Sequence, residues 1–149
     1  MGVWETAAPA GANLVLALEF AMGTALVGGA WLARRKRFRE HGWCQATVVG
    51  LNLAVIAAMM VPAFREQVWP KLPGKIGKAY YAVATTHAAL GSLAEIAALY
   101  VVLSAGTNLL PERFRMRRYK VWMKSVLVLW WAVLFLGTAT YVRWYVPLR

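Results

Sequence analysis

The apolar residues of this chain gather into four long blocks, and the charged residues lie almost entirely between those blocks. A helix needs about 20 apolar residues to cross a bilayer core of about 30 Å. Four segments meet that requirement, at 11–33, 43–64, 79–103 and 121–146. Backbone polar groups in hydrocarbon must be hydrogen-bonded internally, which predicts helices and not strands. The chain is therefore predicted to be one all-α domain over residues 1–149, an integral membrane bundle of four helices that run up and down in turn.

The composition agrees with this pattern. Sixty per cent of the residues are hydrophobic, 15% are charged, and the mean hydropathy is +0.50, which are membrane values. A net charge of +11 would suggest nucleic acid as the partner of a soluble protein. Here the basic residues cluster between the apolar blocks, where they orient the chain and attract anionic headgroups. We expect lipid and other membrane proteins as partners, and no nucleic acid.

The distribution of basic residues predicts the orientation. The connections 34–42 and 104–120 each hold five Lys or Arg residues, and the connection 65–78 holds four. The two richer connections are predicted to be cytoplasmic, which puts both termini on the outer side of a bacterial inner membrane. Prolines and glycines between 62 and 77 predict an irregular outer loop. Six tryptophans fall near predicted span ends, where indole rings favour the headgroup region; they are Trp4, Trp31, Trp43, Trp69, Trp122 and Trp144.

Three ionisable residues lie in the spans proper, Glu19, His87 and Glu95, and Asn52 is a fourth, uncharged polar residue there. An ionisable side chain at this depth costs about 2.5 to 3.5 kcal/mol on insertion scales, so each one is a candidate functional residue. A rise of 1.5 Å per residue predicts similar depths for Glu19 and His87, and puts Glu95 about 12 Å closer to the cytoplasm. We therefore expect His87 to face the interior and meet Glu19, directly or through a water or bound group, and we expect Glu95 not to share their site.

Small residues recur at helical spacing in three of the spans. The third span carries such a stripe below His87, formed by Gly91, Ala94 and Ala98; the first span has Gly23 below Glu19; the second has Ala46, Gly50, Ala54 and Ala57. Such stripes let neighbouring membrane helices approach closely. They favour tight lateral packing of these faces.

His87 has three candidate roles: a neutral imidazole hydrogen-bonded across the bundle, a haem axial ligand, and a proton-relay or quinone contact. His41, the other histidine, lies about 20 Å or more away along the membrane normal by helix rise, so one haem cannot bind both. Met59 or Met60 is a candidate second ligand beside His87. His41 itself either touches a lipid phosphate or haem propionate, or is solvated.

Enzymatic chemistry is not indicated. The sequence contains no Asp, no Ser-His-Asp set, no pair of carboxylates at one predicted depth, no glycine-rich phosphate loop and no H-E-x-x-H motif. Cys44 is the single cysteine, which excludes an internal disulfide and C-x-x-C motifs. A metal site at Cys44 and His41 would need further ligands. We expect a protein that is not an enzyme.

The order of features from 34 to 146 resembles a known family. "KRFREH" leads into the second span, "THAALG" lies in the third, and the last span reads "WWAVLFLGTATYV". This order is similar to that of the bacterial membrane family catalogued as domain of unknown function four-twenty, which includes CtaM/YozB-type factors that help mature haem-A-containing cytochrome oxidases. The resemblance implies that His41 and His87 are the family's histidines, and that Trp130, Gly137 and Tyr141 match its last span. Tyr119 stands where a further histidine is expected.

Two functions follow as hypotheses. The first is a small accessory protein of a respiratory electron-transport complex, either a cytochrome oxidase-type assembly factor or a supernumerary subunit. The second is a haem-b electron carrier or quinone-reactive anchor that uses His87, with Glu19 and His41 as further cofactor-binding residues. A proton path through Glu19, His87 and Glu95 is a third possibility, although four helices leave a narrow interior.

Overall fold

The computed structural model describes residues 8–146, and this part of the chain contains helices and no strand. Helices account for 86% of these described residues. The elements in chain order are α1 (Ala10–Arg34), α2 (Phe38–Val55), a π-helical turn (Ile56–Met60), α3 (Val61–Gln67), a 3₁₀ turn (Trp69–Lys71), α4 (Leu72–Lys75), α5 (Ala79–Gly106), a 3₁₀ turn (Glu112–Phe114) and α6 (Tyr119–Tyr145).

Four helical stretches are long and apolar enough to cross a membrane: Ala10–Arg34, Phe38–Lys75, Ala79–Gly106 and Tyr119–Tyr145. The four predicted segments lie within these stretches, apart from one residue at the end of the last. The all-α prediction and the number of apolar helices are therefore confirmed. Trp4, which we expected near the start of the first span, lies outside the described residues.

The connection after the second predicted span is more helical than expected. Pro62, Pro70 and Pro73 each occupy one of the first two positions of a short helix or 3₁₀ turn, where the missing proline N–H is not needed. Pro62 also accounts for the π-helical turn before it, since a proline ring clashes with the carbonyl of the previous turn. The backbone widens there, and Val61 N–H bonds to Ile56 O. Proline thus shapes the helix here without ending it.

The four long helices form a ring in which each one packs on two neighbours. α1 packs on α2 and α6, and α5 packs on the same two helices. Cross-helix contacts show that α1 and α2 are antiparallel: Cys44 Sγ donates to Ala25 O at 3.3 Å near one end of the pair, and Met59 packs on Gly11 near the other. α5 and α6 are antiparallel as well, since Tyr80 stacks on Trp144 near one end and Gly91 contacts Val133 further along. This is the predicted up-and-down arrangement.

The two basic connections that we expected in the cytoplasm are held by their own backbone conformation and by hydrogen bonds of their own residues. Lys36 has a φ of 61° and closes the tight turn between α1 and α2. In the connection between α5 and α6, Arg115 donates to Thr107 O at 3.1 Å and to Asn108 Oδ1 at 2.6 Å. Ser104 Oγ accepts a bond from Met116 N–H at 2.7 Å. Arg115 therefore organises this loop in addition to carrying charge.

The best-packed part of the interior is a cluster of six buried residues that we call the apolar level: Met22, Leu26, Val48, Val49, Ala98 and Trp130. All four long helices contribute to it. Four of the tryptophans expected at span ends, Trp31, Trp43, Trp69 and Trp122, are exposed on the bundle surface. Trp130 is 4% exposed, which agrees with the expectation that it lies deep.

Candidate functional site

A layer of polar side chains lies next to the apolar level, and we call it the polar level: Glu19 on α1, Asn52 on α2 and Glu95 on α5. Glu19 precedes Met22 by three positions, Asn52 follows Val49 by three, and Glu95 precedes Ala98 by three. Residues three apart share one face of a helix. α2 runs opposite to α1 and α5. On each helix, therefore, the polar residue is displaced from the apolar residue in the same direction along the bundle, by about 4.5 Å.

Asn52 and Glu95 are joined by a buried hydrogen bond. The Asn52 side-chain amide donates from Nδ2 to Glu95 Oε2 at 2.8 Å. Asn52 is 7% exposed and Glu95 is 4% exposed. The second oxygen of each group, Asn52 Oδ1 and Glu95 Oε1, is buried and has no hydrogen-bond partner. The pair is thus half satisfied, which is unusual for a buried polar contact.

Glu19 is the third member of this layer. Its Oε1 atom is also buried without a hydrogen-bond partner, and its side chain interacts electrostatically with Glu95. The sequence-based expectation placed Glu19 with His87 and kept Glu95 apart. In the structure no hydrogen bond joins Glu19 to His87 among residues 8–146, and the expected direct pairing is not formed.

The physical reason is the axial register of the helices. Measuring depth from the midpoint of each span assumes that all spans are centred on one plane. Met22 and Ala98 belong to the same buried cluster. Glu19 and Glu95 each lie three positions from it on the same side, close enough to interact electrostatically. The assumption of one plane also kept Glu19 and Glu95 apart, although the two carboxyl groups lie within electrostatic range of each other.

His87 lies further along α5, against α6. Its Nδ1 atom is 3.1 Å from Val133 O, and because a carbonyl only accepts, Nδ1 carries the proton. The ring packs on Gly137, where an ideal Cβ would lie 2.9 Å from His87 Cε1. Only glycine leaves room for the imidazole at this crossing. His87 faces the interior, as the small-residue stripe indicated, and Gly91 of that stripe contacts Val133.

His41 holds the opposite end of the bundle together. Its Nδ1 atom lies 2.8 Å from Gly29 O, so the side chain links the start of α2 to the end of α1. Neither of the uses expected for His41 includes this contact. His41 and His87 bond to different helices at different heights, as helix rise predicted.

The other candidate ligands do not gather around either histidine. Met59 Cε packs on Gly11, 3.5 Å from an ideal Cβ there, and Cys44 bonds to Ala25 O. Within residues 8–146 no group of three His, Cys, Asp or Glu side chains is placed to hold a metal ion. Met60 lies in the π-helical turn, partly exposed.

Sequence reasoning noticed Asn52 but did not assign it a partner. A shared spacing would have indicated the partner: Glu19, Asn52 and Glu95 are each three positions from an apolar core residue on the same helix. The contact between His87 and Gly137 was likewise not foreseen, although both positions carry the family resemblance. Comparison of the chain with protein-family models, with curated proteins and with solved structures finds no match.

Proposed function

We propose that this is a small integral membrane accessory protein of a respiratory electron-transport complex, acting as a cytochrome oxidase-type assembly factor or a supernumerary subunit. The single observation that supports lateral packing on other subunits is an uncovered face of α2 and the following turn, which we call the open face: Thr47, Gly50, Ala54 and Ala57, all exposed. The opposite face of α2 packs inside the bundle through Val48, Val49, Asn52 and Val55.

The open face is suited to a helix from another protein. No atom lies within 4 Å of an ideal Cβ at Gly50, so a partner backbone can approach α2 closely at that point. Small residues serve this purpose in membrane helices, where close packing drives association. The family resemblance supplies the class of partner, a haem-containing oxidase or a related redox complex.

Site-specific cross-linking tests this proposal. A photo-reactive amino acid at Gly50 is expected to form an adduct with a subunit of a respiratory complex in native membranes. The matched control is the same probe at Val128 on α6, whose side chain is 70% exposed and which should yield only lipid adducts. Equal adducts at both positions, or adducts at Gly50 with lipid alone, would refute the accessory role.

The proposed orientation places both termini on the outer side of a bacterial cytoplasmic membrane that the four helices cross. The basic connections at 34–42 and 104–120 support it through the positive-inside preference. After Cys44→Ser removes the native thiol, a cysteine at Gly74 should react with an impermeant thiol reagent in intact cells. A cysteine at Lys36 should react only after permeabilisation, and the reverse pattern would invert the topology.

Haem binding is the second candidate function, and the geometry of His87 favours it. The Val133 carbonyl holds the proton on Nδ1, which leaves the Nε2 lone pair available, and metal-binding histidines commonly have their other nitrogen fixed in this way. Among residues 8–146 Nε2 has no hydrogen-bond partner. The residues present thus fit one axial ligand, and a haem held there would supply one-electron transfer.

An absorption spectrum of the purified protein decides this point. If His87 binds haem, a Soret band is expected, and His87→Ala should abolish it. His41→Ala is the control, since its imidazole bonds to Gly29 at another height. A preparation without a chromophore, or a band that survives His87→Ala, argues against the carrier function.

A further inference from the structure

The polar level carries three acceptor oxygens without a donor: Glu19 Oε1, Asn52 Oδ1 and Glu95 Oε1. They come from three different helices. Asn52 and Glu95 are each more than nine-tenths buried. A buried polar atom that gives up water without gaining a partner costs about 1 to 3 kcal/mol, so three of them together call for an explanation.

The orientation of Asn52 makes this arrangement one of acceptors only. Its Nδ2 donates to Glu95 Oε2, and a carboxylate accepts hydrogen bonds but donates none. The amide nitrogen is therefore fixed toward Glu95, and Oδ1 of the same amide group remains beside the carboxylate as a free acceptor. Nothing in this contact satisfies Oδ1 or Glu95 Oε1.

In the described part of the chain, no positive side chain compensates for the carboxyl groups. Within residues 8–146 neither Glu19 nor Glu95 interacts with a Lys, Arg or His. The ion pair found in that range joins Arg37 to Glu40, at the surface. Trp130 Nε1, a buried donor in the apolar level, bonds to none of the three oxygens. An uncompensated charge is expensive in this environment, so each carboxyl group requires either a proton or a bound cation.

We propose that Glu19, Asn52 and Glu95 form a binding site for one small hard cation of the sodium class, held by one oxygen from each of three helices. Carboxylate and amide oxygens are the ligands that hard cations prefer. The site offers three protein oxygens, fewer than the roughly 6 to 8 that Ca²⁺ takes, and a monovalent ion gives up less hydration free energy than Ca²⁺ or Mg²⁺ when it leaves water. One monovalent cation and one proton balance the two carboxyl groups. This site is independent of the partner complex and of haem binding at His87.

Thermal unfolding of the purified full-length protein tests the site. Sodium chloride is compared with choline chloride at equal ionic strength, because a ligand that binds only the folded state raises the Tm with concentration. Sodium should raise the Tm of the native protein and choline should not. Glu95→Gln, which keeps an acceptor for Asn52 Nδ2 but lacks the charge, should weaken sodium binding at least about tenfold.

Glu66→Gln is the matched control, because Glu66 is an exposed carboxylate on α3 and its loss should leave the sodium effect intact. Glu19→Gln provides a second variant if Glu95→Gln does not fold, because the Glu19 side chain is only partly buried. A sodium effect equal to that of choline, or one that persists in both variants, overturns the proposal.

Titration calorimetry with sodium, potassium, calcium and magnesium chlorides identifies the cation. Preferred binding of Ca²⁺ or Mg²⁺ overturns the assignment to the sodium class. Infrared difference spectra test the competing explanation that protons alone neutralise the site. Sodium should remove a protonated carboxyl band that is absent in Glu95→Gln, and two protonated carboxyl groups in saturating sodium overturn the proposal.

Discussion

The apolar level and the polar level are neighbours in the same bundle. The side chains of the first are almost fully packed, whereas those of the second leave hydrogen-bonding atoms without partners. Both are built from the interior faces of α1, α2 and α5, about one helical turn apart. In the apolar level, side chains such as Met22 and Leu26 are nearly inaccessible, at 3% and 4% exposure. In the polar level, the single Asn52–Glu95 hydrogen bond leaves three buried oxygens without partners.

This difference separates the part of the interior that stabilises the bundle from a part whose polarity stability does not require. Replacing a buried polar or ionic group by well-packed apolar residues is often neutral or stabilising. The polar level is therefore not explained by stability, since apolar residues at the same three positions would extend the cluster beside them. The proposed cation site would account for the cost.

The largest expected effect is in the apolar level. Trp130→Ala should lower the free energy of unfolding by about 3 to 5 kcal/mol, because it removes a large side chain from the centre of the cluster and leaves a cavity. Thermal or denaturant unfolding in detergent measures the loss. Trp43→Ala is the control, since Trp43 is 68% exposed, and similar losses for both variants would mean that the apolar level does not dominate stability.

The next effect is in the polar level. Glu95→Ala should cost about 1 to 3 kcal/mol, because Asn52 Nδ2 is left buried without an acceptor. Combining it with Asn52→Leu, which removes the orphaned amide, should recover much of that loss. The double-mutant cycle measures the coupling, and strictly additive costs would show that the 2.8 Å bond contributes nothing.

A smaller effect is expected where α5 crosses α6. Gly137→Ala adds a Cβ that would lie 2.9 Å from His87 Cε1, so the ring must move and its bond to Val133 weakens, at a cost of about 1 to 2 kcal/mol. Gly50→Ala should be close to neutral, because nothing lies within 4 Å of its Cβ. His87→Ala in the same chain should relieve the Gly137→Ala defect, and an unrelieved defect would place the strain elsewhere.

The smallest effect concerns the surface. Arg37 and Glu40 form an ion pair at 2.9 Å with both side chains largely exposed, and such pairs contribute little to stability. Glu40→Gln should give no resolvable change in Tm, in high or low salt. A clear loss of Tm in Glu40→Gln would show that this surface ion pair contributes to stability.

Much of the fold was predictable from the sequence, but the candidate site was not. The four apolar blocks, the inward position of His87 and the depth of Trp130 follow from block length and helical spacing. The neighbours of Glu19 do not follow, because His87 and Glu95 on α5 differ by only eight residues and hydropathy does not say which of them a side chain on α1 lies near. The Asn52–Glu95 hydrogen bond and the contact of His87 with Gly137 are decided by how the helices pack.

The sequence by itself determined that the chain is helical, how many apolar helices it has and which side chains interrupt them, because hydropathy and helical period are properties of each segment alone. Only the tertiary structure decided that Asn52 bonds to Glu95 and that His87 rests on Gly137. A shift of one helical turn, about 5.4 Å, exchanges the partners of a buried side chain while it leaves the hydropathy of every segment unchanged. Register depends on how side chains of different helices interlock, and no single segment carries that information.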